Sequence, residues 1–122
     1  MMVRDQQLTG GNDIFGLAYW NTSICLFGKN IIENSGGADQ ISRTVLLSTL
    51  LQHEFGHLLG LVAQGSPPQS DHRDSAHGAH CTTGNCLMNY GIETISSTGS
   101  ANNFIPSLDI SCTADLKANG GR

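Results

Sequence analysis

At 122 residues the chain has the size of one small domain, and its formal net charge of -4, with six Lys and Arg residues, argues against the clustered basic surface that nucleic-acid binding requires. The longest apolar stretch, Val45–Leu51, is interrupted by Ser48 and Thr49 and is too short to span a bilayer. We therefore expect a single domain with neither a nucleic-acid nor a membrane partner. A domain of this size buries only about two thirds of its unfolded surface, so a bound metal or a covalent cross-link would add useful stability.

The compartment is not fixed by the sequence. Residues Met1–Asp5 lead into polar sequence without the apolar core of a signal peptide, so the sequence as given predicts no export signal. The few lysines and the many Ser, Thr, Asn and Gly residues nevertheless favour an exported protein. Four cysteines are compatible with disulfides or with metal thiolates, and their number alone does not distinguish the two. The oligomeric state is likewise not indicated.

The first predicted element is a half-buried strand from Gly16 to Phe27. In its second half, Thr22–Phe27, residues alternate with the period of two that a strand requires. Two breaks follow, a turn at Gly28–Asn30 and a glycine-containing break at Asn34–Gly37.

A helix is predicted from about Asp39 or Ile41 to Leu59. The segment has no Pro and a single Gly, and its apolar residues recur at helical spacing. Gly60 is a natural C-terminal stop. Because the apolar positions cover most of the helix circumference, we expect the helix to be buried on more than one side. Polar residues inside it therefore require an explanation.

A long loop and a short helix complete the prediction. From Gln64 to His80 the sequence is rich in Gly, Ser, Asp and His and contains Pro67 and Pro68, which oppose regular structure. Loops of this length in a compact domain are usually functional or disordered. A C-terminal helix is predicted from about Ser111 to Ala118, ended by Asn119 and Gly120.

The strongest motif lies inside the long helix, where His53, Glu54 and His57 form the pattern H-E-x-x-H. Residues four apart are about one turn apart, so both imidazoles project from one face and can bind one tetrahedral zinc ion. Glu54 lies next to that face, where its carboxylate can take a proton from zinc-bound water and pass it to the leaving amine. The pattern predicts a zinc-dependent hydrolase with Glu54 as the general base.

The alternative is that these three residues are surface histidines and an ordinary helical glutamate. They lie, however, among large apolar residues, namely Leu50, Leu51, Phe55, Leu58 and Leu59. Two imidazoles and a carboxylate would carry a desolvation cost there unless they had partners. We therefore favour the metal site.

Gly60 extends the motif to H-E-x-x-H-x-x-G, and at this point the sequence resembles the metzincin clan of metallopeptidases. Metzincins have a third zinc histidine three residues after that glycine, where this chain has Ala63. Further on, the string from His80 to Met88 reads H-C-x4-C-x-M, which resembles the archaemetzincin family. In that family the third zinc histidine directly precedes the first cysteine of the same pattern.

The resemblance implies roles for three further residues. His80 would be the third ligand after a 17-residue insertion, because the family histidine follows its glycine by three residues and His80 follows Gly60 by twenty. Met88 would be the methionine of the Met-turn beneath the metal. Tyr90 resembles a tyrosine that some metzincins place near the zinc, where its hydroxyl could stabilise the oxyanion. A core methionine and an interface tyrosine are the alternatives.

Other loop residues compete with His80. His72 and His77 are close enough in sequence to reach the metal as third ligands instead, and Asp71 and Asp74 are further oxygen donors. Each of these residues could equally face water or cap a helix. We favour His80 because the neighbouring Cys81 to Cys86 segment, tied by zinc or by a disulfide, would fix its imidazole.

The same resemblance implies a second, structural zinc on four cysteines, two in the C-x4-C string and two in a later C-x-x-C. Cys81 and Cys86 match the first pair, and Cys112 matches one cysteine of the second. Asp115 stands where the fourth is expected, so three thiolates with one carboxylate are possible, and Cys25 is another source of the fourth thiolate. A disulfide between two of the cysteines is the competing explanation, and both stay open.

These features predict an α+β, metzincin-like zincin domain in which a mixed sheet packs on the active-site helix, with a Met-turn and a C-terminal helix. By analogy, the strand from Gly16 to Phe27 would bind an extended peptide or protein substrate along its edge, or else be an internal strand. The chain has little room before Gly16 for the first strands of a metzincin, so we expect part of the sheet to be missing or reduced.

The predicted reaction is zinc-dependent hydrolysis of a peptide bond. Zinc would polarise the carbonyl and its water, Glu54 would move the proton, and zinc with Tyr90 would stabilise the oxyanion. The alternative is a zinc-stabilised binding module that keeps the fold without turnover. Glu54 favours the enzyme, because a purely structural site needs no unliganded carboxylate.

Overall fold

The computed structural model describes residues 14–19, 22–93 and 105–120. In chain order its elements are strands β1 (Gly16–Tyr19) and β2 (Ser23–Leu26), helices α1 (Gly28–Glu33) and α2 (Arg43–Leu58), a 3-10 helix (Tyr90–Glu93) and helix α3 (Ile110–Ala118). Within these residues the fold is a small α+β arrangement of three α-helices and one two-stranded antiparallel sheet. The predictions about an export signal and about missing first strands concern residues 1–13, which lie outside the described ranges.

The single strand predicted from Gly16 to Phe27 is wrong, because this segment is a hairpin. β1 and β2 pair antiparallel, with Tyr19 opposite Ser23, and the Thr22 N–H donates to Tyr19 O at 3.1 Å. The alternating residues, Thr22–Phe27, cover β2 alone, and no Gly or Pro separates them from the apolar residues of β1, so the sequence suggested one strand. Residues 20 and 21 of the predicted strand are outside the described part. The predicted mixed sheet is also wrong for the described residues, where the strands are purely antiparallel.

The turn predicted at Gly28–Asn30 is wrong as well, since these residues begin α1. The Asn30 side chain donates to Ile14 O at 2.7 Å and so ties the helix to the start of the hairpin. Ile31, on the next position, is buried in the core. These tertiary contacts override the local turn preference of Gly and Asn. The break predicted at Asn34–Gly37 is confirmed as the connection to α2.

The long helix is confirmed as α2, and so is its C-terminal stop. Gly60 adopts a left-handed φ of 82°, and its N–H donates to His57 O at 2.9 Å. The Leu61 N–H returns to Gly56 O at 3.2 Å, which ends the helix with its last carbonyls paired. A Cβ at Gly60 would lie 2.7 Å from Ser66 N, so both the backbone angle and the available space require glycine.

The expectation that α2 is buried on more than one side holds only in part. One apolar cluster, comprising Phe15, Ile31, Ile41, Leu46 and Leu50, packs the first half of the helix. A second cluster, comprising Leu61, Val62, Cys81, Cys86, Met88 and Cys112, lies around the segments that follow it. Leu51, Phe55 and Leu59 form a stripe that is 47%, 55% and 45% exposed. Because these three residues are apolar, the sequence predicted a wider buried face on α2 than the structure has. The described elements pack instead on the side of the helix that carries the polar residue His53.

The segment after α2 is irregular, as predicted, and the C-terminal helix is confirmed as α3. Asp109 caps α3, because its Oδ1 accepts from the Cys112 N–H at 2.8 Å. Among the residues described, no helix has the length and apolar character needed to cross a membrane.

Candidate metal centres

Two histidines of α2 point to the same side of the helix. His53 and His57 are one turn apart, and their Nε2 atoms are separated by 3.2 Å. Both residues are buried, with 0% and 5% of their surface exposed. They are therefore not the surface histidines of the alternative interpretation.

The long loop brings His80 to the same point. The Asp74 N–H donates to His80 O at 2.7 Å and anchors this part of the loop. Between ring centroids, His80 lies 5.3 Å from His53 and 4.8 Å from His57. Of the three loop histidines considered as the third ligand, His80 is the one that the structure brings to the helix pair.

Glu93 of the 3-10 helix completes the group, and the sequence analysis did not identify it. Its Oε1 lies 3.0 Å from His53 Nε2, 3.3 Å from His57 Nε2 and 3.1 Å from His80 Nε2. The Phe15 N–H holds the backbone of this residue by donating to Glu93 O at 2.8 Å. We call the side chains of His53, His57, His80 and Glu93 the histidine cluster.

The histidine cluster has the dimensions of a four-coordinate metal site. Zinc–ligand bonds of about 2.0–2.2 Å put tetrahedral nitrogen and oxygen atoms about 3.3–3.6 Å apart. The measured separations, 3.2, 3.0, 3.3 and 3.1 Å, are close to that range, and all four ligand atoms lie within 4.8 Å of one another. These four buried donors could hold a metal ion.

Backbone carbonyls fix the protonation of two of the imidazoles. Because a carbonyl oxygen only accepts, His53 Nδ1 donates to Leu87 O, 2.6 Å away. His80 Nδ1 donates in the same way to His77 O, also at 2.6 Å. Nε2 of each ring then faces the Glu93 carboxylate. A neutral ring would set its lone pair against an acceptor there, whereas a protonated ring or a bound cation would be favourable. His80 Nε2 is buried without a hydrogen-bond partner, its 3.1 Å approach to Glu93 notwithstanding, and a cation would satisfy all of these atoms.

Without a metal ion, the ionisable groups of the histidine cluster shift one another's pKa values. Burial tends to raise the pKa of Glu93, but hydrogen bonds with the three imidazoles outweigh it and hold that pKa far below its usual range. Burial likewise opposes protonation of His80, yet the Glu93 carboxylate raises the pKa of His80 above its usual value. For His57 burial dominates and lowers the pKa. A proton shared in this cluster therefore does part of what a bound cation would do.

Glu54 is fully buried next to the histidine cluster, and neither of its carboxyl oxygens makes a well-formed hydrogen bond. Burial, then the negative charge of Glu93 and a side-chain interaction with that carboxylate, raises the pKa of Glu54 to about 9. A Cβ at Gly16 would lie 3.5 Å from Glu54 Oε1, so this carboxyl group extends toward β1. Such an unpaired buried group is costly, and the fold leaves it available to bind a further polar partner.

Met88 and Tyr90 flank the histidine cluster. Met88 is fully buried, and a Cβ at Gly56 would overlap its Sδ, so the methionine packs directly against the turn of α2 between the two histidines. Tyr90 stacks on His77 with 4.2 Å between ring centroids and meets His80 edge-on at 5.2 Å. Both predicted residues thus border the site, and Met88 is also part of the hydrophobic core.

The remaining acidic and histidine candidates of the loop stay outside the histidine cluster. His77 Nδ1 lies 2.7 Å from Asp74 Oδ2, and the His77 side chain is 44% exposed. The Asp74 carboxylate is solvent-facing, and the hydrogen bond from His77 lowers its pKa. Asp71 is exposed. None of the three belongs to a group of metal-ligand atoms among the described residues.

A second group of ligand atoms begins at the next residue, Cys81. The side chains of Cys81, Cys86 and Cys112 are all buried, and all are free thiols. Cys86 Sγ and Cys112 Sγ lie 3.6 Å apart, well beyond the disulfide length of about 2.05 Å. The cysteines are therefore clustered but not cross-linked. Cys25, considered as a fourth thiolate, lies instead on β2 opposite Leu17.

His72 joins these thiols, a position that the sequence analysis did not foresee. Its Nδ1 lies 3.4 Å from Cys81 Sγ and 3.8 Å from Cys112 Sγ. Its Nε2 lies 2.6 Å from Asp115 Oδ2, so Asp115 stands behind His72 and does not take the place of the missing cysteine. Ligand atoms of His72, Cys81, Asp109 and Cys112 all lie within 4.8 Å of one another, and Cys86 Sγ lies against Cys112 Sγ. We call the side chains of His72, Cys81, Cys86 and Cys112 the cysteine cluster. Asp109 Oδ2 borders it, 3.3 Å from Cys81 Sγ.

The three thiols differ in their protonation. The hydrogen bond with the Cys112 thiol, assisted by the Asp109 and Met88 N–H groups that donate to Cys86 Sγ at 3.4 Å, lowers the pKa of Cys86 to about 6. Burial raises the pKa of Cys81 to about 11, and the neighbouring Cys86 raises the pKa of Cys112 well above its usual value. One of the three sulfurs is thus readily ionised.

Glu93 and His72 are the two candidate ligand residues whose positions sequence reasoning missed. Glu93 stands in the string Y-G-I-E, where the 3-10 helix was not predicted and no motif marks the acid. For His72 the signal in the sequence was indirect. The four-cysteine pattern of the resembled family lacks its fourth member in this chain, so another residue could supply that ligand. Both residues take their place through long-range contacts that no local spacing encodes.

Comparison with known proteins adds no relative to this geometry: no protein-family model matches the chain, and searches of curated proteins and of solved structures gave no match.

Proposed function

We propose that this chain is a zinc-dependent metallopeptidase domain with a metzincin-like active site, in which His53, His57 and His80 bind zinc and Glu54 is the general base. The observation that carries the proposal is the state of Glu54, which is fully buried beside the histidine cluster with neither oxygen hydrogen-bonded. A site that only stabilises a fold gains nothing from such a group, because an unpaired buried carboxyl is destabilising. A hydrolase uses it to move a proton.

The donor set of the histidine cluster fits zinc. Imidazole and carboxylate are the ligands typical of catalytic zinc, and the Nδ1 hydrogen bonds of His53 and His80 leave their Nε2 lone pairs free for a metal. When bound, zinc would polarise the scissile carbonyl and make a water molecule more acidic.

The chain's own residues supply the proton transfer and part of the charge stabilisation. Glu54 would accept a proton from the attacking water and return it to the leaving amine. Its pKa of about 9 in the metal-free protein means that it holds a proton at neutral pH, and the positive charge of a bound divalent ion would favour the ionised form. To Tyr90, which meets His80 edge-on, we assign stabilisation of the oxyanion.

The hairpin suggests how an extended peptide or protein substrate would bind. Among the described residues β1 and β2 form a two-stranded antiparallel sheet. An extended peptide can add to the edge of a sheet through backbone hydrogen bonds. Gly16 of β1 borders Glu54 Oε1, which would bring a peptide bound along β1 close to the general base.

One observation favours a second function, a zinc-stabilised binding module without turnover. Glu93 Oε1 approaches the Nε2 atoms of all three histidines, at 3.0, 3.3 and 3.1 Å, and could serve as a fourth ligand. A closed four-ligand site is typical of structural zinc, whereas catalytic zinc keeps one position for water or substrate. The two functions differ in whether Glu93 holds the fourth position.

Cleavage of a denatured protein substrate by the zinc-loaded chain tests the proposal. Glu54→Gln keeps the size of the side chain and removes the base, so cleavage should fall at least about 100-fold while the zinc content equals that of the parent. Glu33→Gln is the matched control, because Glu33 is exposed on α1 and pairs only loosely with Lys29 at 4.0 Å. This variant should cleave as the parent does.

Two results would count against the peptidase. If Glu54→Gln cleaves as fast as the parent, Glu54 is not the base. If the parent carries zinc and cleaves nothing across a set of denatured substrates, the binding module is the better description.

A further inference from the structure

We propose that His72 supplies, through Nδ1, the fourth ligand of a zinc ion held by Cys81, Cys86 and Cys112, in the place of the fourth cysteine that the family resemblance implies, and that Asp115 orients it. This site is independent of the proposed function, because it shares no side chain with the histidine cluster.

The spacing of the donor atoms is that of a tetrahedral zinc site. Zinc–sulfur bonds of about 2.3 Å and zinc–nitrogen bonds of about 2.0 Å put sulfur atoms about 3.8 Å apart and sulfur and nitrogen about 3.5 Å apart. Cys86 and Cys112 Sγ are 3.6 Å apart, and His72 Nδ1 lies 3.4 and 3.8 Å from the sulfurs of Cys81 and Cys112. The Cys3His combination is one of the common structural zinc sets.

Asp115 holds His72 in the tautomer that a metal needs. Asp115 is fully buried, and its two oxygens accept from the Gln69 N–H and from His72 Nε2, each at 2.6 Å. With the proton on Nε2, the Nδ1 lone pair faces the sulfurs. A carboxylate behind a ligating histidine is the usual way of fixing ring orientation in zinc sites.

Backbone hydrogen bonds favour a negatively charged sulfur at Cys86, which would attract a cation. The N–H groups of Met88 and Asp109 both donate to Cys86 Sγ at 3.4 Å, an arrangement that stabilises negative charge on the sulfur. Loop pairing brings His72 to Cys81, because the Thr82 N–H donates to His72 O at 2.9 Å. Three buried sulfurs this close gain most when a metal ion neutralises them.

Asp109 is the competing fourth ligand, because one of its oxygens lies within 4.8 Å of the ligand atoms of His72, Cys81 and Cys112. Its hydrogen bonds favour a different role. Its Oδ2 lies 3.3 Å from Cys81 Sγ, but its Oδ1 caps α3 by accepting from the Cys112 N–H at 2.8 Å. The carboxylate is thus already used as a helix cap. His72 is more deeply buried, with 6% of its surface exposed, and its Nδ1 faces the two sulfurs directly.

The ligand set gives the insertion between Gly60 and His80 a structural purpose. A metal bound to His72 and Cys112 would fasten this loop to α3. Because Cys81 directly follows His80, the same metal would hold the backbone that presents His80 to the histidine cluster. The inserted loop would then supply the donor that replaces the cysteine missing at Asp115.

The site can be measured alone in the full chain carrying His53→Ala and His57→Ala, which removes two donors of the histidine cluster. Zinc or cobalt alone is titrated into this background variant under reducing conditions. In this background we expect one metal per chain. Adding His72→Ala should weaken zinc binding more than about 100-fold, since loss of a residue that merely supports a ligand already costs about 10–100-fold. Adding His72→Cys should restore binding and increase the thiolate-to-cobalt charge-transfer absorption.

Control variants at other residues test whether His72 is the fourth ligand. Asp115→Asn should weaken binding about 10–100-fold, whereas Asp109→Asn, which keeps a capping side chain, and His77→Ala, which alters another loop histidine, should bind as the background does. If His72→Ala fails to fold, recovery of folding and of metal binding in His72→Cys still supports the assignment. The proposal is overturned if the background binds no metal, if both His72 variants bind as tightly as the background, or if Asp109→Asn loses the metal.

Discussion

The two clusters begin on neighbouring residues, His80 and Cys81, yet the fold treats their polar atoms differently. In the cysteine cluster the buried carboxylate of Asp115 accepts two hydrogen bonds at 2.6 Å, and Cys86 Sγ accepts two backbone N–H groups. In and beside the histidine cluster, His80 Nε2 and both oxygens of Glu54 are buried without a hydrogen-bond partner. The fold thus supplies hydrogen-bond donors to the cysteine cluster and to Asp115 behind it, and leaves three buried polar atoms in and beside the histidine cluster without one.

This contrast supports different proposed roles for the two clusters. Native proteins rarely leave buried polar groups unpaired, and those that remain unpaired often have a chemical role. We therefore assign stability to the cysteine cluster and chemistry to the histidine cluster. The following predictions test that division, beginning with the largest expected effect.

Replacing both helix histidines should remove one metal and all cleavage while leaving the other metal in place. His53→Ala with His57→Ala deletes two of the donors in the histidine cluster and none in the cysteine cluster. Metal analysis of the purified variant should find one zinc per chain instead of two, with no cleavage of a denatured substrate. A variant that still holds two zinc ions would show that α2 carries no ligands.

The Glu93→Gln variant tests whether Glu93 holds the fourth position of the zinc site or leaves it open for water or substrate. If the three imidazoles suffice, the variant should keep its zinc with an affinity lower by no more than about 10–100-fold, the range for loss of a supporting group. Cleavage should then persist. Complete loss of zinc, with Glu33→Gln unaffected, would show that Glu93 is an essential fourth ligand and would favour the binding module.

In the metal-free protein, Glu54 should make folding stability fall as the pH rises. Burial and Glu93 raise its pKa from 4.5 to about 9, so between these values the folded state holds a proton that the unfolded state releases. Stability due to this group is complete below the unfolded pKa and is lost as the pH rises toward the folded one.

Urea unfolding at about pH 5 and pH 8 measures this effect. The free energy of unfolding of the metal-free parent should drop by roughly 2–4 kcal/mol more than that of Glu54→Gln, which has no proton to lose. Equal slopes in the two proteins would mean that Glu54 is solvated or paired when no metal is bound.

The smallest expected effect is on thermal stability and concerns the packing of Gly56 in α2 against Met88. Gly56→Ala places a Cβ against Met88 Sδ, and overpacking of this kind costs about 1–3 kcal/mol, more than the roughly 1 kcal/mol that alanine gains in a helix. Gly84→Ala is the control, because a Cβ at Gly84 meets nothing within 4 Å. Thermal unfolding should show a loss for the first variant and little change for the second.

The part of the site that the sequence predicted is the part with regular spacing. His53, Glu54 and His57 lie one turn apart on a helix whose apolar period and glycine stop are readable from the chain. His80 was reached through the resemblance of its cysteine string, and the structure brings it to the helix pair. Glu93 could not be found in this way, because its position depends on a 3-10 helix and on a backbone contact with Phe15.

The errors in the fold have a similar cause. The hairpin was predicted as one strand because no Gly or Pro between Tyr19 and Ser23 marks the chain reversal. The exposed stripe of Leu51, Phe55 and Leu59 was predicted to be buried because hydrophobic character does not say which face its neighbours cover. His72 was weighed as a third ligand of the catalytic zinc and lies instead with the thiols, 2.6 Å from Asp115.

Native mass spectrometry of the purified parent chain tests the central claim, that two separate clusters each hold a zinc ion, most directly. The mass under native conditions should exceed that of the unfolded chain by two zinc ions, and the unfolded chain should react with a thiol reagent at all four cysteines. One zinc ion together with a mass lowered by the two hydrogens of a disulfide would contradict the account, because the cysteine cluster would then be a cross-link and not a metal site.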